Sequence, residues 1–348
     1  MKGHLVVLGE VARQSAAARL QDGRVTDVIF DPSASERPAP GAIYRAKTLR
    51  AMKGQGGITV DLGGGQRGYL RGAKGIKEGE TFLVQVGTYA EAGKASPVSM
   101  KLVFKGRFAI VTPDAPGVNV ARSIRDEEVA DAVRKAAHDV LGDGGNGMGV
   151  ILRSAAALGR ADDLQDELRM LVDLAAAVTA DVTGPPELLL DAPSAADFAW
   201  SEWTDPMPDE VIEEADALDH LGVLDQLEAA KGARFDLAGG AFILVEPTTA
   251  LIAVDVNTGS DMSLAAGLKA NINTAKELPR ALRLKGLGGQ IVVDFAPYPK
   301  KDRRLIEQAL RAAFRADPVD TTLVGWTPLG HFELQRKRER LPLSEVLK

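Results

Sequence analysis

Two apolar runs in this chain each end in an aspartate. The first reads LIAVDVN over residues 251–257 and carries Asp255 and Asn257; the second reads IVVDF over residues 291–295 and carries Asp294. Short apolar runs rich in β-branched residues read as buried strands, and a helical stretch, 262–285, separates the two. Strand–helix–strand units build α/β sheets, in which functional groups gather at the carboxyl ends of the strands. If the two strands are adjacent and parallel, both carboxylates lie at one edge, within reach of one cation. Asn257, two residues past Asp255, shares its strand face. A few hard oxygen ligands, with positions left for water and phosphate, suit Mg²⁺. Hydrolysis of a phosphodiester asks for such an ion, which offsets the anionic charge, activates a water and stabilises the leaving oxygen. A strand-end aspartate also commonly caps the next turn, so the reading rests on the matched pair.

Basic residues follow the pair: Lys300, Lys301, Arg303 and Arg304, then Arg336, Lys337, Arg338 and Arg340. Lys276, Arg280, Arg283 and Lys285 lie on the intervening helix. They read equally as phosphate contacts or as solvated helix faces. His331, in LGHFEL, is open to an acid–base or a structural role. Upstream, Tyr69 in QRGYL reads as a base-stacking platform or an ordinary Tyr, and Lys47 and Lys94 as backbone contacts. The glycine-rich GDGGNGMG at 142–149 is no phosphate loop, because it lacks GK[ST] and opens a strand.

The elements around these residues can be sketched. Residues 4–10 and 25–30 read as strands, and a Pro/Ser stretch at 31–41 as a linker. Short β signals punctuated by glycine over 42–97 predict a small barrel of the OB type, which binds single-stranded nucleic acid through aromatic and basic residues. Helices are expected at 125–141, at 160–180 (Leu164, Leu168, Leu171, Ala175 and Val178 at helical spacing), over 208–231, and at 262–285 and 301–315. Pro279 is expected to bend or interrupt the helix that holds it. Strands are expected at 150–154, 290–297 and around TTLVGWT.

Composition narrows the class. The 348 residues are 45% hydrophobic and 26% charged, which is ordinary for globular domains. With no cysteine, disulfides, Cys-based zinc sites and thiol catalysis are excluded. No apolar run reaches a membrane span and no signal peptide opens the chain, so a cytoplasmic protein without a membrane partner is expected. The net charge of −6 is unevenly spread: residues 160–232 hold 3 Lys/Arg against 19 Asp/Glu, whereas 269–348 hold 16 against 9 and 40–97 hold 9 against 4. Local basic surface, not the total, attracts nucleic acid.

TALIAVDVNTG, LRLKGLGGQIVVDF and LGHFELQRKRERLPL, in this order and spacing, resemble the ribonuclease E/G family. AIYRAKTLRAM and VDLGGGQRGYL resemble its S1-type barrel, and PVSMKLVFKGRFAIVTP, NVARSI and GMGVILRSA its 5′-sensor region. The resemblance implies an α/β multi-subdomain fold. An S1-type OB-fold domain (40–98) and a 5′-sensor region (99–184) would be inserted in a reduced RNase H-like subdomain (1–39 and 185–232), followed by a DNase I-like catalytic subdomain (233–348). It implies Mg²⁺ on Asp255 and Asp294 assisted by Asn257, a 5′-monophosphate on Arg153 and Ser154 with Arg122 in support, and cleavage of single-stranded RNA to 5′-phosphate and 3′-hydroxyl ends. Tyr69, Lys94 and Lys47 would contact RNA. There are departures. Without cysteine, a homo-oligomer would have to form without the family's zinc link; Thr59 stands where the barrel carries an aromatic, and Pro328 where a basic residue precedes LGHFEL. These changes motivate the competing expectation of a non-catalytic RNA-binding protein that keeps the fold.

Overall fold

The computed structural model describes residues 2–32, 37–49, 56–72, 75–142, 147–214 and 216–347. Residues 33–36 of the Pro/Ser stretch and 143–146 of the glycine-rich turn lie outside the described residues. The chain divides into two compact units, Met1–Phe30 with Asp209–Lys348, and Asp31–Pro208.

The first unit holds two sheets. In one, strands His4–Val11, Gln14–Gln21 and Arg24–Phe30 form an antiparallel meander, and Glu210–Ile212 adds parallel to the first. The middle strand was not among the expected ones. Its sequence, QSAAARLQ, buries three alanines side by side, and so lacks the β-branched signal of a strand. The second sheet has six strands in the order Arg234–Asp236, Phe242–Pro247, Ile252–Asn257, Gly289–Asp294, Phe332–Arg336, Thr321–Trp326. Its one parallel pair is Ile252–Asn257 with Gly289–Asp294, joined by helix Leu264–Leu284.

Burial alternates along that pair. Ile252, Val254, Val256, Ile291 and Val293 point to a covered face; Asp255 and Asp294 point away from it and are exposed. The linking helix covers the first face with Ala270, Ala275, Leu278 and Leu282, and Pro279 does not interrupt it. Helix Arg303–Ala316 packs beside it through Ile306, Leu310 and Phe314.

In the second unit, strands Ile43–Thr48, Gly57–Gly63, Gln66–Arg71, Ser96–Ser99 and Thr81–Val86 pair in that order. The last closes on the first, and Gln66–Arg71 runs parallel to Ser96–Ser99. This is a closed five-stranded barrel of the expected OB type, filled by Val60, Leu62, Leu70, Phe82 and Val84. A separate small sheet, Phe104–Lys105, Ala109–Thr112, Gly149–Leu152 and Gly117–Val120, packs with helices Glu127–Leu141 and Ala161–Ala180. The five apolar positions expected inside the second helix are all buried. Asp126 caps the first by accepting the N–H groups of Glu128 and Val129.

Residues 185–208 group with the barrel unit, whereas the sequence-based boundary puts them in the RNase H-like part. Strand Glu187–Leu190 pairs antiparallel with Ile43–Thr48, and buried Arg45 bonds to Asp181, Glu187 and the Pro185 carbonyl. Of the helix expected over 208–231, the part before Asp216 contains strand Glu210–Ile212; Ala217–His220 and Val223–Lys231 are helical. Among the described residues, no helix is long and apolar enough to cross a membrane.

Candidate functional site

Asp255 and Asp294 are register partners on adjacent parallel strands. Neighbouring strands run about 4.8 Å apart, and both side chains leave the same face, so the two carboxylates stand side by side. Asp294 ends its strand, and its side chain is 66% exposed. Asn257 donates from Nδ2 to Asp255 Oδ2 at 2.8 Å, which orients the carboxylate.

The donor set fits a hard divalent cation of the Mg²⁺ type: two paired carboxylates and a nearby amide. Among the described residues no group of three or more His, Cys, Asp or Glu side chains is placed to cage a metal. One or two carboxylates, with water completing the shell, is the mode in which Mg²⁺ is usually held.

The end of the Asp294 strand is pinned from behind. Asn271, fully buried, accepts from the Ala296 N–H at 3.0 Å and donates to the Ala296 carbonyl at 2.9 Å. Gly267 permits the close approach, because a Cβ there would come within 1.8 Å of the Pro297 carbonyl oxygen. Phe295 and Phe332 both pack on Trp326, with ring centroids 5.6 and 5.1 Å away. Trp326 Nε1 donates to Glu307 at 2.6 Å, and the Arg303 guanidinium lies 4.3 Å from the indole centroid. None of these positions was singled out in the sequence except Arg303, because contacts between elements leave no local pattern.

His331 lies in this neighbourhood. A tight turn, with Thr327 N–H on the His331 carbonyl (2.8 Å) and His331 N–H on Thr327 Oγ1 (3.1 Å), sets its backbone. Its Nε2 is 3.7 Å from Asp294 Oδ1. The imidazole therefore borders the carboxylate pair, which the sequence left open.

Five of the twelve basic residues considered as phosphate contacts have other employment. Arg283 pairs with Asp317 and donates to the Thr26 carbonyl; Arg336 pairs with the same Asp317, whose side chain is fully buried; and Arg340 lies 3.2 Å from Asp27. Arg280 bonds to Glu277 (2.7 Å), as does Arg24 (2.7 Å). Lys285 Nζ donates to the carbonyls of Ala230, Lys231 and Gly232, the end of helix Val223–Lys231, and burial lowers its pKa. These groups tie the long helix and its sheet to the N-terminal meander. Lys300, Lys301, Arg303 and Arg304 are exposed, on the segment that follows Asp294.

In the barrel, Lys47 is exposed, in register with Asp61, which in turn faces Arg67. Tyr69 is half-buried opposite Thr59, and its ring lies over Gly57, where a Cβ would come within 2.7 Å of it. Lys94 is exposed and ion-paired with Glu91. These residues and the carboxylate pair belong to different units of the chain.

Arg153 follows strand Gly149–Leu152, with Ser154 opening a short 3₁₀ turn. The Arg153 guanidinium donates to the Gly106 carbonyl at 2.6 Å and pairs with Glu202 at 2.7 Å. Arg122 is exposed. Glu202, which the sequence reading did not single out, thus holds the expected phosphate ligand.

The profile of the Ribonuclease E/G family matches residues 103–216 and 202–339. The chain is 23% identical over 385 residues to Ribonuclease G of Salmonella typhimurium, covering 94% of this chain and 78% of that protein. It is 24% identical over 399 residues to Ribonuclease E of Haemophilus influenzae, covering 98% of this chain and 42% of that protein. A third relative, Ribonuclease E of Nostoc sp., is 27% identical over 306 residues, covering 77% of this chain and 44% of the relative.

Proposed function

The chain belongs to the ribonuclease E/G family, and we propose that it is an endoribonuclease that hydrolyses single-stranded RNA with Mg²⁺ held by Asp255 and Asp294. The observation that carries this reading is the register pairing of the two exposed aspartates at the end of a parallel strand pair. Two like charges held side by side repel each other. Such an arrangement destabilises the fold unless a cation joins it, and this favours a functional pair over two turn caps.

When bound, Mg²⁺ offsets the charge of the scissile phosphate and makes a water nucleophilic at neutral pH. Asp255 and Asp294 bind and orient the ion, and Asn257 holds the Asp255 carboxylate in one rotamer through its 2.8 Å hydrogen bond. The barrel grips the RNA strand through Tyr69, Lys47 and Lys94, a base stacking on the ring and phosphates meeting the ammonium groups. Arg153 and Ser154, with Arg122 in support, receive a 5′-monophosphate through guanidinium and hydroxyl donors.

The test is incubation of a labelled A/U-rich single strand with the wild type and Asp294→Asn, in Mg²⁺ or in EDTA. Cleavage by the wild type in Mg²⁺ alone, and none by the variant while it still binds RNA, is the expected result. Equal cleavage by Asp294→Asn removes the metal assignment. The second reading, RNA binding without cleavage, is motivated by Thr59 and Pro328, which stand where the family carries an aromatic and a basic residue. Retention of RNA with no cleavage under any divalent ion would establish it.

A further inference from the structure

Trp200 is 62% exposed, although it sits in a well-formed helix, Ala195–Glu202, whose Ala195 and Ala199 are buried. The indole is nonetheless held in place. The Arg107 guanidinium lies 4.1 Å from its ring centroid, donates to the Trp200 carbonyl at 3.3 Å and reaches the Met207 sulfur at 3.1 Å. Phe108 flanks the same guanidinium at 5.7 Å. Arg107 is itself buried, and burial lowers its pKa. The result is a large aromatic surface fixed from one side by a cation and open to solvent.

The turn that fixes Trp200 also fixes Arg153. The Gly106 carbonyl accepts from Arg153 at 2.6 Å, and Glu202, two residues beyond Trp200, accepts from the other end of the same guanidinium at 2.7 Å. Lys105, at the start of that turn and 57% exposed, lies 3.9 Å from the second Glu202 oxygen. Trp200, Lys105 and the Arg153–Ser154 pair therefore form one patch, knitted together through residues 105–108.

We propose that Trp200 is a stacking platform for a base near the 5′ end of single-stranded RNA, beside the phosphate pocket on Arg153 and Ser154. The identity of the partner rests on the reading of that pocket given above. A nucleobase offers the planar π face that an immobilised indole accepts, whatever the sequence. Preorganisation by Arg107 reduces the rotamer entropy lost on binding. The segment that carries Trp200 is acidic, so attraction for RNA comes from Lys105, Arg107 and Arg153 rather than from its own helix.

The experiment measures binding of 5′-monophosphorylated oligonucleotides to the Asp294→Asn protein, which keeps the RNA intact, with and without Trp200→Ala, Trp200→Phe or Arg153→Ala. The oligonucleotides carry a base, or an abasic residue, at each of the first three positions in turn. Trp200→Ala is expected to weaken binding of the fully based strand roughly 5- to 100-fold, the range of one stacked base, and Trp200→Phe much less. One abasic strand should be insensitive to Trp200→Ala. Equal affinity of the wild-type and alanine proteins overturns the proposal, as does a loss that is the same for every abasic strand. If Arg153→Ala abolishes preference for the 5′-phosphate while Trp200→Ala is neutral, the stacking inference fails and the pocket stands. If Trp200→Ala weakens binding base-dependently while Arg153→Ala leaves phosphate preference intact, the pocket fails and the platform stands.

Discussion

Asn271 and the backbone of Ala296 form a closed pair: the side-chain oxygen accepts the Ala296 N–H and the side-chain amide donates to its carbonyl. Ala296 follows Asp294 by two residues, so a fully buried amide on the long helix sets where the Asp294 carboxylate leaves its strand. Asn271→Leu keeps the volume and removes both bonds. Each buried group left unsatisfied costs about 1–3 kcal/mol, so the unfolding free energy should fall by about 2–6 kcal/mol for the two. Cleavage at saturating RNA should fall too, with KM little changed. Urea denaturation and initial rates measure both; lost stability with an unchanged rate would make Asn271 purely structural.

Asn257 offers a gentler perturbation of the same site. Its 2.8 Å bond to Asp255 orients a proposed metal ligand without supplying charge. Outer-shell partners of this kind typically change metal affinity or activity by 10- to 100-fold. Asn257→Ala should therefore raise the Mg²⁺ concentration for half-maximal cleavage by about that range, leaving RNA binding in EDTA as it was. A Mg²⁺ titration that superimposes on the wild type would leave Asn257 without this role.

The aspartate pair was legible because two strong local signals coincide: an apolar run stating a buried strand, and a charged residue ending it. The helix between them favours parallel strands, whereas their adjacency and the register that pairs Asp255 with Asp294 come from the structure. The five buried positions of helix Ala161–Ala180 were legible for the same reason, since periodicity is written locally. The fate of Arg283, Arg336 and Arg340 was not. An arginine on an exposed face and one paired with a distant buried aspartate have the same neighbours in sequence, and only tertiary contact brings Asp27 and Asp317 to them. Glu202 escaped notice likewise, 49 residues from Arg153. Strand Gln14–Gln21 was hidden by its alanines, which take their strand conformation from two flanking partners rather than from propensity.

Asp317 should act on stability alone. Its side chain is fully buried and paired with both Arg283 and Arg336. Removing one partner of a buried ion pair strands the other charge and costs about 3–5 kcal/mol. Asp317→Asn is expected to lose stability of that order while folded protein, assayed well below its Tm, cleaves at the wild-type rate. A large drop in rate without lost stability would place Asp317 in the chemistry instead.

Glu202 bears on how a 5′-phosphate would be read. Its carboxylate lies 2.7 Å from Arg153, so an incoming phosphate must share or displace it and also meets its negative charge. Glu202→Gln keeps an oxygen acceptor for the guanidinium and removes the charge. Relief of about 1–2 kcal/mol would tighten binding of 5′-monophosphorylated RNA by about 5- to 30-fold, with 5′-hydroxyl RNA nearly unchanged. The discrimination ratio, measured by competition between the two RNAs at fixed salt, is the informative quantity, because a general gain in affinity for polyanions would move both alike. A parallel shift would mean only that a negative charge had left the surface. Weaker binding of the monophosphorylated strand would mean that Glu202 orients Arg153 for the phosphate rather than competing with it.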